Sequence, residues 1–398
     1  MKPSLLVNPM VVYATVWVMT LCLFSLQMTI QIVPANSTGL WIVGGNIIFA
    51  VYLGMIFAKI KSKQKPTFDN VDFDILELYV RRLRLIWMIG TIIEISVSRG
   101  LPIIWAFTGQ GFLKDYTDFG IPSFHGIMNA VYLQFMCGYF LLWVGAKRTA
   151  HRKMFFLFLL WPILMLGRGI FLSVIMQCLA IFLLLNKVGL KRMSHLVLLA
   201  IGNVFLFGFV GNLRGTSNPF GYLVENKWIW LFDSLPTGFL WVYIYITSGI
   251  NNIFYNVQSL EPTGTFDKTF FKLIPSFVRQ LLGVEERADA LTFADANLNV
   301  STFYAGTVSD FGAIGGLFYG MIVIFSAFMV YSYAKRYLIW AILAYSVLFQ
   351  VLVFSIFYDT FLLLPTFMQI FIAFCFIFFH KERLKRRGKL RIQPTHNE

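Results

Sequence analysis

Long apolar runs, neither alternating nor amphipathic, organise this chain from one end to the other. They lie near 10–33, 39–58, 85–98, 123–145, 154–167, 169–186, 194–212, 305–331, 337–357 and 361–379, and polar or basic segments separate them. A helix of about 20 apolar residues crosses a hydrocarbon layer roughly 30 Å thick, which sets the scale for reading these runs as spans. Inside lipid only helices and closed barrels satisfy every backbone group, and the runs lack the two-residue alternation of a barrel strand. The pattern predicts an all-α fold, a polytopic transmembrane helical bundle of about ten spans forming one membrane domain over 1–398. The first run has only Lys2 before it and a poor cleavage site around Val33-Pro34-Ala35, so it is expected to be a retained helix.

Two stretches need a decision. As one straight helix, 154–186 would be ~48 Å long, too long for the membrane, so a split is expected at Gly167-Arg168-Gly169 with a tight outward turn. The apolar, aromatic stretch 235–255 could pass for another span, but a full crossing there would carry Lys335, Arg336 and the whole basic tail to the outer side. It is therefore expected to be a re-entrant or interfacial helix on the outer face. Trp228, Trp230, Trp241, Tyr243 and Tyr245 would be its interfacial aromatics. The large outer loop then covers 213–304, and 380–398 is a basic cytoplasmic tail.

Charge fixes the orientation. With both ends inside, the cytoplasmic segments hold 24 of the 33 Lys and Arg residues, which is the bias of the positive-inside rule. The net charge of +14 is distributed loop by loop and not gathered on one patch, so nucleic acid is not an expected partner. A chain with 58% apolar and 13% charged residues cannot cover one core with a soluble surface, so the lipid bilayer is its solvent. Cys22, Cys137, Cys178 and Cys375 sit inside apolar runs with no metal-ligand spacing, and neither a disulfide framework nor a metal is expected.

Charges at lipid depth then become the candidate chemistry. From Lys153 to Arg168 a helix rises only ~22 Å, so Arg168 falls below the outer surface, where a charge costs about 2.5 kcal/mol or more without a polar partner. Arg99 ends the third run, which holds Glu94, and Arg214 ends the seventh; all three arginines are followed by Gly. Arginines near helix ends can simply snorkel to headgroups, and Arg99 could pair with Glu94. The alternative is a lipid-borne pyrophosphate, whose oxygens suit bidentate guanidinium contacts and whose departure arginines would stabilise without a metal.

A general base would have to lie on the same face, and only His125 among the five histidines does so; it could equally be a helix-start histidine bonded to backbone. Asp310 is the next candidate, followed by Glu94, Asp115, Asp118 and Asp295, each of which could be a cap or a loop charge. Asp72-Phe73-Asp74 imitates a nucleotide-sugar DxD pair, but it falls in a basic cytoplasmic segment and is expected to be solvated loop. GxxxxGK[ST], HExxH and GxSxG are absent.

The stretches RGLPIIWAF, YTDFGIPSFHG, LGRG, NLRG, LWVYIYITSGINN and TFYAGTVSDFGAIGG, in that order along the chain, resemble Wzy-type O-antigen polymerases, the oligosaccharide repeat unit polymerase family. The resemblance implies a bacterial inner-membrane glycosyltransferase, metal-independent and without a cofactor, with its active site on the periplasmic face. It would move a growing glycan from undecaprenyl pyrophosphate onto the non-reducing end of another lipid-linked repeat unit. Both lipid-linked oligosaccharides would be partners, and a chain-length regulator protein is a candidate partner. Arg99, Arg168 and Arg214 would hold pyrophosphate, His125 would be the base, and Tyr243, Tyr245 and Asn251 would line the glycan path with Asp310 nearby. An O-antigen ligase shares this logic and differs in the acceptor; a lipid-linked oligosaccharide flippase would instead need charges along a route through the membrane.

Overall fold

The computed structural model describes residues 4–59, 72–108, 118–186, 188–189, 191–195, 197–198, 201–202, 204–205, 220–283, 291–296, 298 and 300–392. It is 74% helix, and among the described residues the pairing of Thr29 with Val224 is the one strand-like bridge. The helices are α1 (Pro9–Ser25), α2 (Ser37–Lys59), α3 (Phe73–Ser98), α4 (Pro102–Phe107), α5 (Phe124–Val144), α6 (Thr149–Phe158), α7 (Trp161–Leu164) and α8 (Arg168–Leu185). They continue as α9 (Ile229–Ser234), α10 (Thr237–Asn256), α11 (Ser276–Leu281), α12 (Ala305–Ala334), α13 (Ile339–Phe354) and α14 (Leu364–Ile392).

Among the described residues six helical segments are long and apolar enough to cross a membrane: α2, α3 with α4, α5, α8, α12 and α14. α1 and α13 are apolar but shorter. The outward faces carry what a lipid-facing surface needs. Phe367, Phe371, Phe374 and Phe378 form an exposed stripe on α14, and Ile314, Phe318, Ile322 and Phe325 form another on α12. Their spacing of three and four residues puts each set on one side of its helix.

Several boundaries differ from the sequence reading, for local reasons. α3 begins twelve residues before the expected span because Asp72 caps it, accepting from the Ile75 N–H at 3.1 Å, and because Ile75, Leu76, Tyr79 and Val80 are buried. The Asp72-Phe73-Asp74 stretch is therefore a helix start, not a loop. α1 stops at Ser25, since Gln27 takes a positive φ of 47° and the following residues pair elsewhere. The break expected in 154–186 is present: α8 starts at Arg168, although the ascending leg is itself divided into α6 and α7. The described residues between 194 and 205 are helical, while the rest of the expected seventh span, with Arg214, lies outside the described residues.

Helix directions follow from side-chain partners. α3 and α5 are antiparallel, because Glu77 and Arg148 pair at one end while Glu94 and His125 pair at the other. α5 and the α6–α7 leg are antiparallel as well. Tyr139 stacks on His151 at 5.7 Å, the Tyr132 hydroxyl donates to the Phe158 carbonyl, and Phe119, just before α5, packs on Trp161. At mid-height a buried amide knot joins four helices: Gln177 of α8 bonds Gln350 of α13 at 2.6 Å and Gln369 of α14, and accepts from Cys137 of α5. Such interhelical bonds each contribute about 0.6 kcal/mol on average within lipid and fix register as much as stability.

α10 is a packed helix. Fifteen of its residues are buried, Trp241 and Tyr243 among them, so these two rings are interior packing and not headgroup anchors. Its asparagines clamp extended backbone. Asn251 accepts from the Val33 N–H and donates to the Gln31 carbonyl, Asn252 holds Ala294, Leu298 and Val300, and Asn256 holds Thr292. Pairing with α10 is what draws residues 28–33 away from α1.

Candidate active site

The end of the bundle where α3 stops and α5 starts collects the chemistry. α3 ends with Arg99, which leaves the helix in the left-handed region at φ 57°, and its N–H still bonds the Ile95 carbonyl. After α4 the chain returns through Asp118, Phe119 and Gly120, and the Gly120 N–H donates to the Ser98 hydroxyl at 2.8 Å. This return brings His125, in the first turn of α5, against Glu94, in the last turn but one of α3. Nδ1 of His125 lies 3.1 Å from Oε1 of Glu94, which is 1% exposed, whereas the imidazole side chain is 25% exposed.

A buried carboxylate at Nδ1 selects the tautomer with its proton there. Nε2 is left as the basic nitrogen, with no hydrogen-bond partner among the described residues. The Phe119 ring meets the imidazole edge-on at 5.4 Å and itself packs on Trp105 and Trp161, so the ring's tilt is fixed from behind. This is the arrangement that lets an imidazole take a proton from a hydroxyl while a carboxylate stabilises the imidazolium.

Gly120 closes the pair from above. At its φ of 89° a side chain would be strained, and a Cβ would stand 2.5 Å from Glu94 Oε1 and 2.9 Å from the His125 Cβ. Gly120→Ala is therefore expected to push the carboxylate and imidazole apart, at a cost of about 1–3 kcal/mol. Thermal unfolding of the purified variant reads this as a lowered midpoint; Gly44→Ala, on α2 with open space around it, should leave the midpoint in place.

Arg168 belongs to the same end. α8 shares the level of Gln177 with Cys137 of α5 and runs in the same direction, so at 1.5 Å per residue Arg168 stands about 14 Å and His125 about 18 Å above that level. Arg168 is the first residue of α8, half-buried, with its Nη1 enclosed, and Gly167 provides no side-chain cap. A cation at the positive end of a helix is disfavoured by the macrodipole, and an anion beside both would be favoured. A Cβ on Gly169 would meet nothing within 4 Å, so the space beside that residue is open. Arg99 is exposed at the same end and does not pair with Glu94.

The remaining sequence candidates are placed differently. Asp310 is wholly buried, and its carboxylate accepts from the Thr269 N–H at 2.8 Å, the Thr269 hydroxyl at 2.6 Å, the Lys268 N–H and the Thr263 hydroxyl. Its lone pairs are spent on anchoring residues 263–269 to α12, just before that helix bends at Gly312. Tyr243 accepts from the Met28 N–H, and Asn251 is the clamp described above. Tyr245 is half-buried and packs edge-on to Phe220.

Two groups escaped the sequence reading. The segment after Asp310's anchor crosses this end of the bundle: the Lys272 carbonyl accepts from Leu364 at the start of α14, and Ser276 bonds Ser123 at 2.8 Å, two residues before His125. One helical turn beyond Ser276, Arg279 lies over the Phe271 ring at 4.0 Å with its Nε enclosed and unpartnered among the described residues. A single arginine in a long loop gives no sequence signal. Asp359, between α13 and α14, accepts from the Tyr319 hydroxyl and the Phe361 N–H. Burial raises its carboxyl to about 6, against the pull of Tyr319, the Leu362 and Phe361 N–H groups and Lys272. It is a carboxyl at this end able to exchange a proton near neutral pH.

Among the described residues no group of His, Cys, Asp and Glu could hold a metal. No protein-family model, no curated protein and no solved structure matches the chain.

Proposed function

We propose that the chain is a membrane polymerase of lipid-linked sugar repeat units, working on the outer face of a bacterial inner membrane. The observation that carries this reading is the His125–Glu94 pair, a base with a fixed tautomer at the bundle end that also presents Arg168 and Arg99. An acceptor hydroxyl of one repeat unit loses its proton to Nε2 of His125 as its oxygen attacks the anomeric carbon of a glycan held on a second lipid pyrophosphate. The bond from that carbon to the pyrophosphate oxygen breaks, and the departing charge is taken up by Arg168, Arg99 and, in this reading, Arg214. The donor carries its own leaving group, so no nucleotide is consumed.

A transporter reading finds less support. The mid-height knot is built of uncharged Gln, Ser and Cys side chains, which fix helices but offer no charged route through the bundle. Between polymerase and ligase the sequence resemblance favours the polymerase. In cells with otherwise intact polysaccharide synthesis, loss of the gene should leave single repeat units on the lipid anchor and remove long chains. Loss of the single units as well would point to a ligase or a flippase.

The orientation, with about ten crossings and both ends inside, belongs to the same proposal. It is tested with cysteines introduced one at a time into a chain carrying Cys22→Ser and Cys375→Ser, in which the remaining Cys137 and Cys178 are buried. Glu261→Cys should react with a membrane-impermeant thiol reagent added from outside, and Lys385→Cys should react only after lysis. Labelling of Lys385→Cys in intact cells would invert the orientation.

A further inference from the structure

The opposite end of the bundle holds a second built site, remote from His125. Here α3 begins, α5 ends and α6 begins, and between them lies a cavity of about 630 Å³ lined by Glu77, Arg81, Arg84, Tyr139, Lys147, Arg148 and His151. Four permanent cations face one carboxylate. That carboxylate is already committed: Glu77 pairs with Arg148 and with Arg81 at 2.5 Å, and it faces His151 at 3.5 Å, while Arg148 also takes Asp74 at 2.6 Å. Among the described residues no ion pair holds Arg84 or Lys147.

Two donor atoms are enclosed at this cavity with no acceptor among the described residues. Tyr139, 1% exposed, is among the residues that line the cavity, its hydroxyl is enclosed, and the Arg84 guanidinium sits beside it. Arg84 Nε is likewise enclosed and unpartnered. An enclosed donor without an acceptor is costly, more so when charged, so the arrangement favours an acceptor supplied from outside. The excess of positive charge specifies that the acceptor is an anion. Lipid is at hand: immediately along α3 the side chains of Leu85, Ile86 and Ile89 are exposed apolar surface, and Met154, which lines the cavity, leads to exposed Phe156 and Leu157 on α6.

We infer that this cavity binds the phosphate headgroup of an anionic phospholipid, with Arg84, Lys147 and the Tyr139 hydroxyl as its ligands and the acyl chains lying along α3 and α6. Basic pockets between helices at the cytoplasmic surface are suited to such headgroups, and each Lys or Arg near that surface contributes roughly a fivefold gain in binding. Glu77, Arg148 and His151 hold the walls of the site and do not supply its free charge.

The test uses the full chain purified in neutral detergent, with phosphatidylglycerol as probe, phosphatidylcholine as the uncharged control and glycerol 3-phosphate as the soluble one. Bound lipid is read by native mass spectrometry and by the shift in thermal unfolding midpoint. Phosphatidylglycerol should bind and stabilise, and phosphatidylcholine should not. Arg84→Gln and Lys147→Gln should each weaken binding about fivefold. Tyr139→Phe, which removes only the hydroxyl, should weaken it without changing net charge. The paired control Arg152→Gln with Lys153→Gln removes two exposed charges of α6 outside the cavity and should bind as the parent does. Equal loss in that control, or undiminished binding by Lys147→Gln and Tyr139→Phe, would overturn the site. An equal shift with glycerol 3-phosphate alone would overturn the lipid and assign the cavity to a soluble phosphate.

Discussion

His125→Ala is expected to slow chain extension by about 10²–10⁴-fold while the protein still inserts and accumulates, because general-base assistance carries a contribution of that size. The imidazole is partly exposed and not a core ring, so its removal should leave the amide knot and the packing of α5 in place. His125→Gln keeps a side chain that can donate to Glu94 but cannot take a proton at neutral pH, and it should be as impaired as Ala. Glu94→Gln gives an intermediate result, since the imidazole remains but loses the carboxylate that fixes its tautomer and steadies its charge. The checking measurement is the rate of lipid-linked chain growth at matched protein amounts. Normal rates in His125→Gln would reduce the pair to a structural contact and shift attention to Asp359.

Arg168→Lys carries the second large effect. Lys preserves the charge at the start of α8 but offers a compact ammonium, not a planar fork able to hold two pyrophosphate oxygens at once. If the guanidinium is there for bidentate contact, Lys should lose most of what Ala loses, on the order of 10²-fold or more for a group acting on developing charge. If Arg168 only snorkels to headgroups, Lys should substitute with little loss. The length distribution of surface polysaccharide separates the two. Single repeat units capped onto lipid without long chains are expected, and full-length chains would sink the pyrophosphate contact.

How much of this was legible beforehand depended on which physical rule governed each region. Apolar run length is a strong signal, so α2, α5, α8, α12 and α14 were all anticipated as helices, as was the break before Arg168. The start of α3 was not, because its basic residues read as loop while its buried face of Ile75, Leu76, Tyr79 and Val80 is a helical pattern visible only once Asp72 is seen to cap it. Aromatic residues in 235–255 read as interfacial because Trp and Tyr suit both headgroups and cores; the asparagines that turn α10 inward bond backbone segments more than two hundred residues earlier and about forty residues later.

In the site itself, His125 and Glu94 were each identified as outer-face candidates, but their pairing was not, since thirty-one residues and a return through α4 separate them. The setting of Asp310 was not legible. A carboxylate in a Ser-Asp-Phe-Gly stretch gives no hint that four donors from residues 263–269 will occupy it. Asp359 and Arg279 were under-read, because their settings are made by a crossing segment that no local pattern announces.

The most direct test of the central claim is extension of a purified lipid-linked repeat unit by the purified full chain, in a bilayer, with a chelator and no nucleotide present. The expected result is a ladder of glycan lengths on the lipid carrier with release of free lipid pyrophosphate, and no ladder from the His125→Ala chain. Unextended repeat units with the parent chain, or a ladder of equal rate with His125→Ala, would contradict it.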